Sequence, residues 1–262
     1  MSDIIKTSAK GGILEVIFDR PPVNAIDAAT SRRIGQVFTD FKREDALKVA
    51  IITAPGDRIF SAGWDLKAVA ADSEGEGVDY GPGGFAGITR MFDLHKPVIA
   101  AVNGRAIGGG FELALACDMI VAAEGADFAL PEAAVGVTAT AGAVQCLPRR
   151  LPYHIAMEML LTGRRMPAKE AHHYGLVNAV VPRAQLMDKA REYARMIEAG
   201  APLSIQATKE VVRGTECMPL PESYRALEAR KFPVYERMRV SEDRIEGPRA
   251  FAEKRKPNWK GR

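Results

Sequence analysis

Two spacings of apolar residues organise the chain. Alternating or continuous apolar runs predict strands: ILEVIFD at 13–19, KVAIIT at 48–53, MIVAA at 119–123, DFALPE at 127–132 and GLVNAVVP, which starts at Gly175. Apolar residues at helical spacing predict helices. Ile34, Val37, Phe38 and Phe41 mark one face of a helix between Ala28 and Arg43, and Leu186, Ala190, Tyr193, Ala194 and Ile197 mark another between 184 and 199. IAMEMLLTG at 155–163 also reads as helical. PAKEAHHYG at 167–175 has proline at a first helical position and glycine after the last. The order is therefore mixed ββα units followed by helices. It predicts an α/β core over residues 1–200 and a helical region over 201–262 that covers the core or joins copies of the chain.

The centre of this pattern is PVIAAVNGRAIGGGFELALACD at 97–118, an apolar strand that meets three consecutive glycines and then an apolar helix. Glycine lets backbone N–H groups approach a ligand with no Cβ in the way, and a helix start offers donors and partial positive charge. Glu112 is the charged side chain of the first turn. Such a junction suits the stabilisation of developing negative charge during proton movement. Taken alone it equally fits a tight turn with a dipole-favoured acid. APGDRIFSAGWDLKAVA repeats the theme, with a glycine turn at Ala62 and Gly63 leading to a helical pattern near Trp64 or Asp65. Residues 72–89, rich in glycine and acids and without periodicity, read as a mobile loop.

Composition narrows the partners. A charged fraction of 26% and a net charge of +3 give no signature of disorder. Cys117, Cys146 and Cys217 lie far apart without metal-binding spacing, which points to a reducing compartment and no structural metal. No apolar run reaches membrane-spanning length and MSDIIKTSAKGG has no signal-peptide core, so a soluble cytoplasmic protein is expected. The tail RAFAEKRKPNWKGR is basic and reads as a solvated end. Without RNA-binding aromatic motifs or zinc spacing, a phosphate-rich small ligand is the simpler partner, and neither nucleic acid nor membrane is expected. His95, His154, His172 and His173 fall in no catalytic motif, the adjacent pair reading as helix surface. Ser61 lacks the G-x-S-x-G spacing of a hydrolase nucleophile.

Taken in order, FSAGWDLK at 60–67, NGRAIGGGFELALACD at 103–118 and FALPE at 128–132 resemble the crotonase superfamily of enoyl-CoA hydratases and isomerases. The resemblance runs from DRPPVNAID to the basic tail. FSAGWDLK, GPGGFAG, TGRRM and IEGPRAFAEKRKPNWKGR resemble more narrowly its carnitinyl-CoA dehydratase branch. The resemblance implies a spiral of ββα units with a helical C-terminal trimerisation region, a homotrimer or dimer of trimers, and an acyl-CoA thioester as ligand. Coenzyme A would enter as part of the substrate, with no prosthetic group or metal. By motif position the backbone N–H groups of Trp64 and Gly109 would hold the thioester oxygen. Glu112 would handle water or the departing β-hydroxyl and Glu132 the α-proton. CoA would meet Asn24, Ala25 and Ile26, then Ala62, Asp65 and Leu66, with Phe251 and Lys254 of the tail as nucleotide or phosphate contacts.

The implied reaction is reversible hydration of a short-chain 2-enoyl-CoA, with carnitinyl-CoA and crotonobetainyl-CoA as the expected pair. A general enoyl-CoA hydratase or isomerase is the alternative, and an RNA-binding or assembly protein on the same fold a remote one. A trimethylammonium group would suit an aromatic face, and Trp64, Tyr80, Phe85 and Phe111 are the aromatics near the motifs. One segment departs from the superfamily pattern. GVTATAGAVQCL at 136–147 has Ala139, Thr140, Ala143 and Cys146 where the family usually carries proline, paired glycines and an arginine. That departure is expected to alter a pocket wall.

Overall fold

The computed structural model describes residues 3–66 and 78–262. Three successive units each place one strand in a large sheet and the next in a small one. Val49–Thr53, Val98–Val102 and Met119–Ala123 lie side by side and parallel in the large sheet, while Ile59–Ser61, Arg105–Ile107 and Asp127–Ala129 repeat the same order in the small sheet. This spiral is the expected α/β architecture. Ile5–Lys10, antiparallel to Ile13–Phe18, and Ala179–Val181, parallel to Met119–Ala123, complete a six-stranded sheet, and Met166–Pro167 completes the four-stranded one. A short parallel pair, Ala25–Ile26 with Gly63–Trp64, stands apart.

The central strands of the large sheet, Val49–Thr53, Val98–Val102 and Met119–Ala123, are buried on both faces, which explains their continuous apolar runs. Ala50, Ile52, Val98, Ala100 and Val102 point into the main core, while Val49, Ile51, Ile99 and Ala101 pack with Leu186, Ala190 and Ala194. The stripe read from residues 184–199 thus covers the outer face as helix Leu186–Glu198. Helix Ala28–Arg43 begins on Asp27, whose side chain accepts from the Thr30 N–H, and buries Ile34, Val37, Phe38 and Phe41.

Helices Pro202–Thr215, Leu220–Glu228, Pro233–Arg239 and Glu242–Ala252 form the C-terminal region. Glu210 accepts from the N–H groups of Val234 and Tyr235 and so caps the third of these helices onto the first. Lys209 and Arg213 tie the first helix to Asp118 at 2.6 and 3.0 Å.

Three local readings change, and one strand is added. Ile5–Lys10 is a strand, although its exposed polar positions give it no apolar alternation. Ala62 and Gly63 join two short strands, Ile59–Ser61 and Gly63–Trp64, instead of leading straight into a helix. Residues 72–77 of the acid-rich stretch lie outside the described residues, but 83–88 are packed rather than free. A Cβ on Gly87 would stand 2.3 Å from the Gly35 nitrogen, and one on Gly83 1.8 Å from the Gly87 oxygen. The basic tail is docked: Asp243 accepts from the Lys260 and Gly261 N–H groups, and the Trp259 ring nitrogen donates to the Ala199 oxygen at 2.8 Å.

Candidate active site

The three consecutive glycines are each required by a different neighbour. An ideal Cβ on Gly108 would stand 2.8 Å from Glu132 Oε1, one on Gly109 2.4 Å from Phe85 Cε1, and one on Gly110 2.3 Å from the Ser61 oxygen. Gly108 also has φ +54, where only glycine is unstrained. Its oxygen accepts from the Phe111 and Glu112 N–H groups, which begins helix Gly109–Ala116. Gly109 is the first residue of that helix and has no carbonyl within the helix to which its N–H can donate. Gly63, at φ +79, lies against it: a Cβ there would be 2.5 Å from the Gly109 nitrogen. The two glycine turns thus bring the Trp64 peptide and the Gly109 peptide together.

Glu112, one turn along this helix, is 4% exposed. Its Oε1 accepts from the Ala143 N–H at 3.0 Å. Burial pushes its carboxyl from the ordinary 4.5 up to about 7; the Ala143 N–H opposes this, and the nearby Glu132 charge adds to it. Glu132 sits in the first turn of the 3-10 helix Pro131–Val135, delivered by strand Asp127–Ala129. Its Oε2 is buried without a hydrogen-bond partner among the described residues, and burial raises its pKa also. Two acids with raised pKa values therefore converge at one glycine turn. One can give a proton while the other accepts one, and Gly109 at the helix start offers a backbone N–H beside them.

The atypical segment 136–147 seats one of the two acids. Gly142 caps helix Ala143–Arg150 at φ +140, and the first N–H of that helix holds Glu112. Sequence spacing gave no sign of this contact, because the two residues are 31 positions apart.

Five of the six residues near the first two motifs also come together. Asn24, at φ +51, accepts from the Arg20 N–H through its side chain and donates from Nδ2 to the Phe60 oxygen. The Ile26 oxygen accepts from the Asp65 N–H, and the Val23 oxygen from the Ala62 N–H. Arg20 joins them: its guanidinium donates to the Ala25 oxygen, to Asp65 at 2.9 Å and to Asp27 at 2.7 Å. Arg20 was missed in the sequence, where it is one cation before two prolines. Leu66 is 51% exposed at the end of this group. Phe251, 87% exposed, and the exposed Lys254 lie on the C-terminal segment and are not part of it. Two surface clefts, one beside Lys10, Arg191 and Glu198 and one beside His95, Lys209 and Phe232, are lined by neither Glu112 nor Glu132.

The enoyl-CoA hydratase/isomerase family model matches residues 8–262. The chain belongs to the enoyl-CoA hydratase/isomerase family. Among similar family members, the carnitinyl-CoA dehydratases of Proteus mirabilis and Citrobacter koseri are 53% and 55% identical over 262 residues, each covering 100% of both chains. The crystal structure of an enoyl-CoA hydratase from Mycobacterium tuberculosis H37Rv has a TM-score of 0.89 at 38% identity, covering 99% of each chain. A probable enoyl-CoA hydratase/isomerase from Mycobacterium abscessus has the same score and identity over 100% of each. These likenesses agree with the crotonase fold, and they span both the spiral and the C-terminal helices.

Proposed function

We propose that this chain is a hydro-lyase that interconverts a 3-hydroxyacyl-CoA and its 2-enoyl-CoA, with carnitinyl-CoA and crotonobetainyl-CoA as the pair. The observation that carries the reaction is the convergence of Glu112 and Glu132 on one glycine turn. In dehydration, ionised Glu132 takes the proton from the carbon next to the thioester carbonyl. The electron pair moves onto the carbonyl oxygen, where the N–H groups of Trp64 and Gly109 stabilise it. The carbon–oxygen bond at the β-carbon then breaks, and protonated Glu112 supplies a proton to the leaving hydroxide, releasing water and the enoyl thioester. Hydration reverses each transfer. A Glu112 pKa of about 7 leaves both of its protonation states populated near neutrality, which serves both directions.

The Arg20-braced group of Asn24, Ala25, Ile26, Ala62 and Asp65, with Leu66 at its end, is proposed to hold the CoA portion, with Phe251 and Lys254 as outer nucleotide or phosphate contacts. Residues 1–200 are proposed as the catalytic core. Residues 201–262 would be the layer that assembles a trimer or dimer of trimers in the cytoplasm; the exposed Leu220, Val240 and Ile245 in this region support association. The carnitinyl substrate is favoured over a general hydratase substrate by relatives so named at 53–55% identity over the whole chain, against 38% for the solved enoyl-CoA hydratases. Steady-state kinetics on carnitinyl-CoA and 3-hydroxybutyryl-CoA test this choice. A higher kcat/KM for carnitinyl-CoA is expected, and equal values would overturn the assignment of the acyl group.

A further inference from the structure

Beside the glycine turn stands an aromatic pair. The Phe85 ring edge lies against Gly109, so close that an added Cβ would be 2.4 Å from Cε1 and 2.6 Å from Cζ. Tyr80 meets Phe85 edge to face, with centroids 5.4 Å apart and planes at 71°. Both residues are partly exposed. Phe111, by contrast, is 0% exposed and packs on Phe128 at 5.0 Å, so it belongs to the core and not to an acyl wall.

Phe85 is fixed from below. Its oxygen accepts from Thr89 Oγ1 at 2.7 Å, and the buried Ala86, at φ +53, donates its N–H to Ser31 Oγ at 3.1 Å. The close packing of Gly83 and Gly87 against backbone allows this segment no retreat. A flexible loop would not hold an aromatic ring beside a catalytic peptide in this way. We infer that Phe85 and Tyr80 form the acyl-selecting wall of the site and recognise a quaternary ammonium group on the acyl chain, a specificity that rests on the hydratase reading above.

The chemistry fits such a group. A trimethylammonium ion has no N–H to donate, so a hydrogen-bonding pocket cannot recognise it, whereas the negative face of an aromatic ring attracts its diffuse charge. In crotonobetainyl-CoA the nitrogen is four bonds from the thioester carbonyl carbon, roughly 5–6 Å along an extended chain. That reach carries the ammonium past a carbonyl held at Gly109 to the side chains that flank this residue, of which Phe85 is one.

The test compares crotonobetainyl-CoA with 5,5-dimethylhex-2-enoyl-CoA, its neutral isostere with carbon in place of nitrogen. The readout is the ratio of their kcat/KM values. Phe85→Leu and Tyr80→Leu are each expected to lower the cation-to-neutral ratio roughly 3- to 30-fold. A trifluorinated phenylalanine at position 85 preserves shape while removing negative charge from the ring face, and it is expected to lower the ratio in the same direction. It also keeps the test decisive if the leucine variants do not fold. A parent enzyme that turns over both thioesters, with a ratio unmoved by fluorination, overturns this inference alone. A parent inert towards both removes the hydratase reading and this inference with it.

Discussion

Oε1 of Glu112 accepts a hydrogen bond from the N–H of Ala143 at 3.0 Å, which seats the buried acid on the start of helix Ala143–Arg150. The helix start favours the charged form, yet burial prevails and holds the carboxyl at about 7. A folded-state pKa above the ordinary 4.5 means that the folded chain binds the extra proton between the two values. Glu112 therefore costs stability progressively as pH rises from 4.5 to about 7, by on the order of 3 kcal/mol at completion. Glu112→Gln removes that penalty and keeps an acceptor for Ala143. Thermal unfolding is expected to show the variant several degrees more stable than the parent at pH 8 and little different at pH 5. The same change in Tm at both pH values would rule out the raised pKa.

Gly109 leaves no room for a side chain on the face that meets Phe85. Gly109→Ala is expected to lower kcat by roughly 10²-fold or more through displacement of an oxyanion donor. Gly125→Ala, at a position where an added Cβ meets nothing within 4 Å, should leave turnover unchanged. Because the obstructing atoms belong to Phe85, Phe85→Leu combined with Gly109→Ala should recover part of the loss on a neutral substrate such as crotonyl-CoA. A double-mutant cycle measures that coupling, and strict additivity would show that the ring is not the obstacle.

Arg20 donates to Asp65, Asp27 and the Ala25 oxygen from one guanidinium. Arg20→Lys retains the charge but cannot span all three acceptors. The KM for acyl-CoA substrates is expected to rise about tenfold, with a smaller change in kcat. If KM is unaltered while kcat falls, the bracing acts on the chemistry and not on CoA binding.

The elements that hold the candidate site were legible where their constraints are local. The bounds of helix Ala28–Arg43 follow from its apolar spacing, whereas the strand read over 127–132 ends at Ala129 and Pro131 starts a 3-10 helix that carries Glu132. Strand Ile5–Lys10 was not legible. After Ile5 its residues face solvent, so no core contact imprints alternation, and pairing with Ile13–Phe18 defines it. Residues 83–88 were misread for the opposite reason: glycines normally mark free loops, but here they permit close backbone packing against Gly35. The tail shows the same limit. Its basic composition describes solubility, whereas its placement depends on Asp243 and Ala199, which no local pattern joins to it.

The central claim is that Glu112 and Glu132 together move the two protons of a hydration. Hydration of crotonobetainyl-CoA, followed by loss of the conjugated thioester absorbance, tests it most directly in the parent, Glu112→Gln and Glu132→Gln. Turnover by the parent and a fall of roughly 10²- to 10⁴-fold in kcat for each folded variant are the results expected. Near-parental rates in either variant would contradict the account.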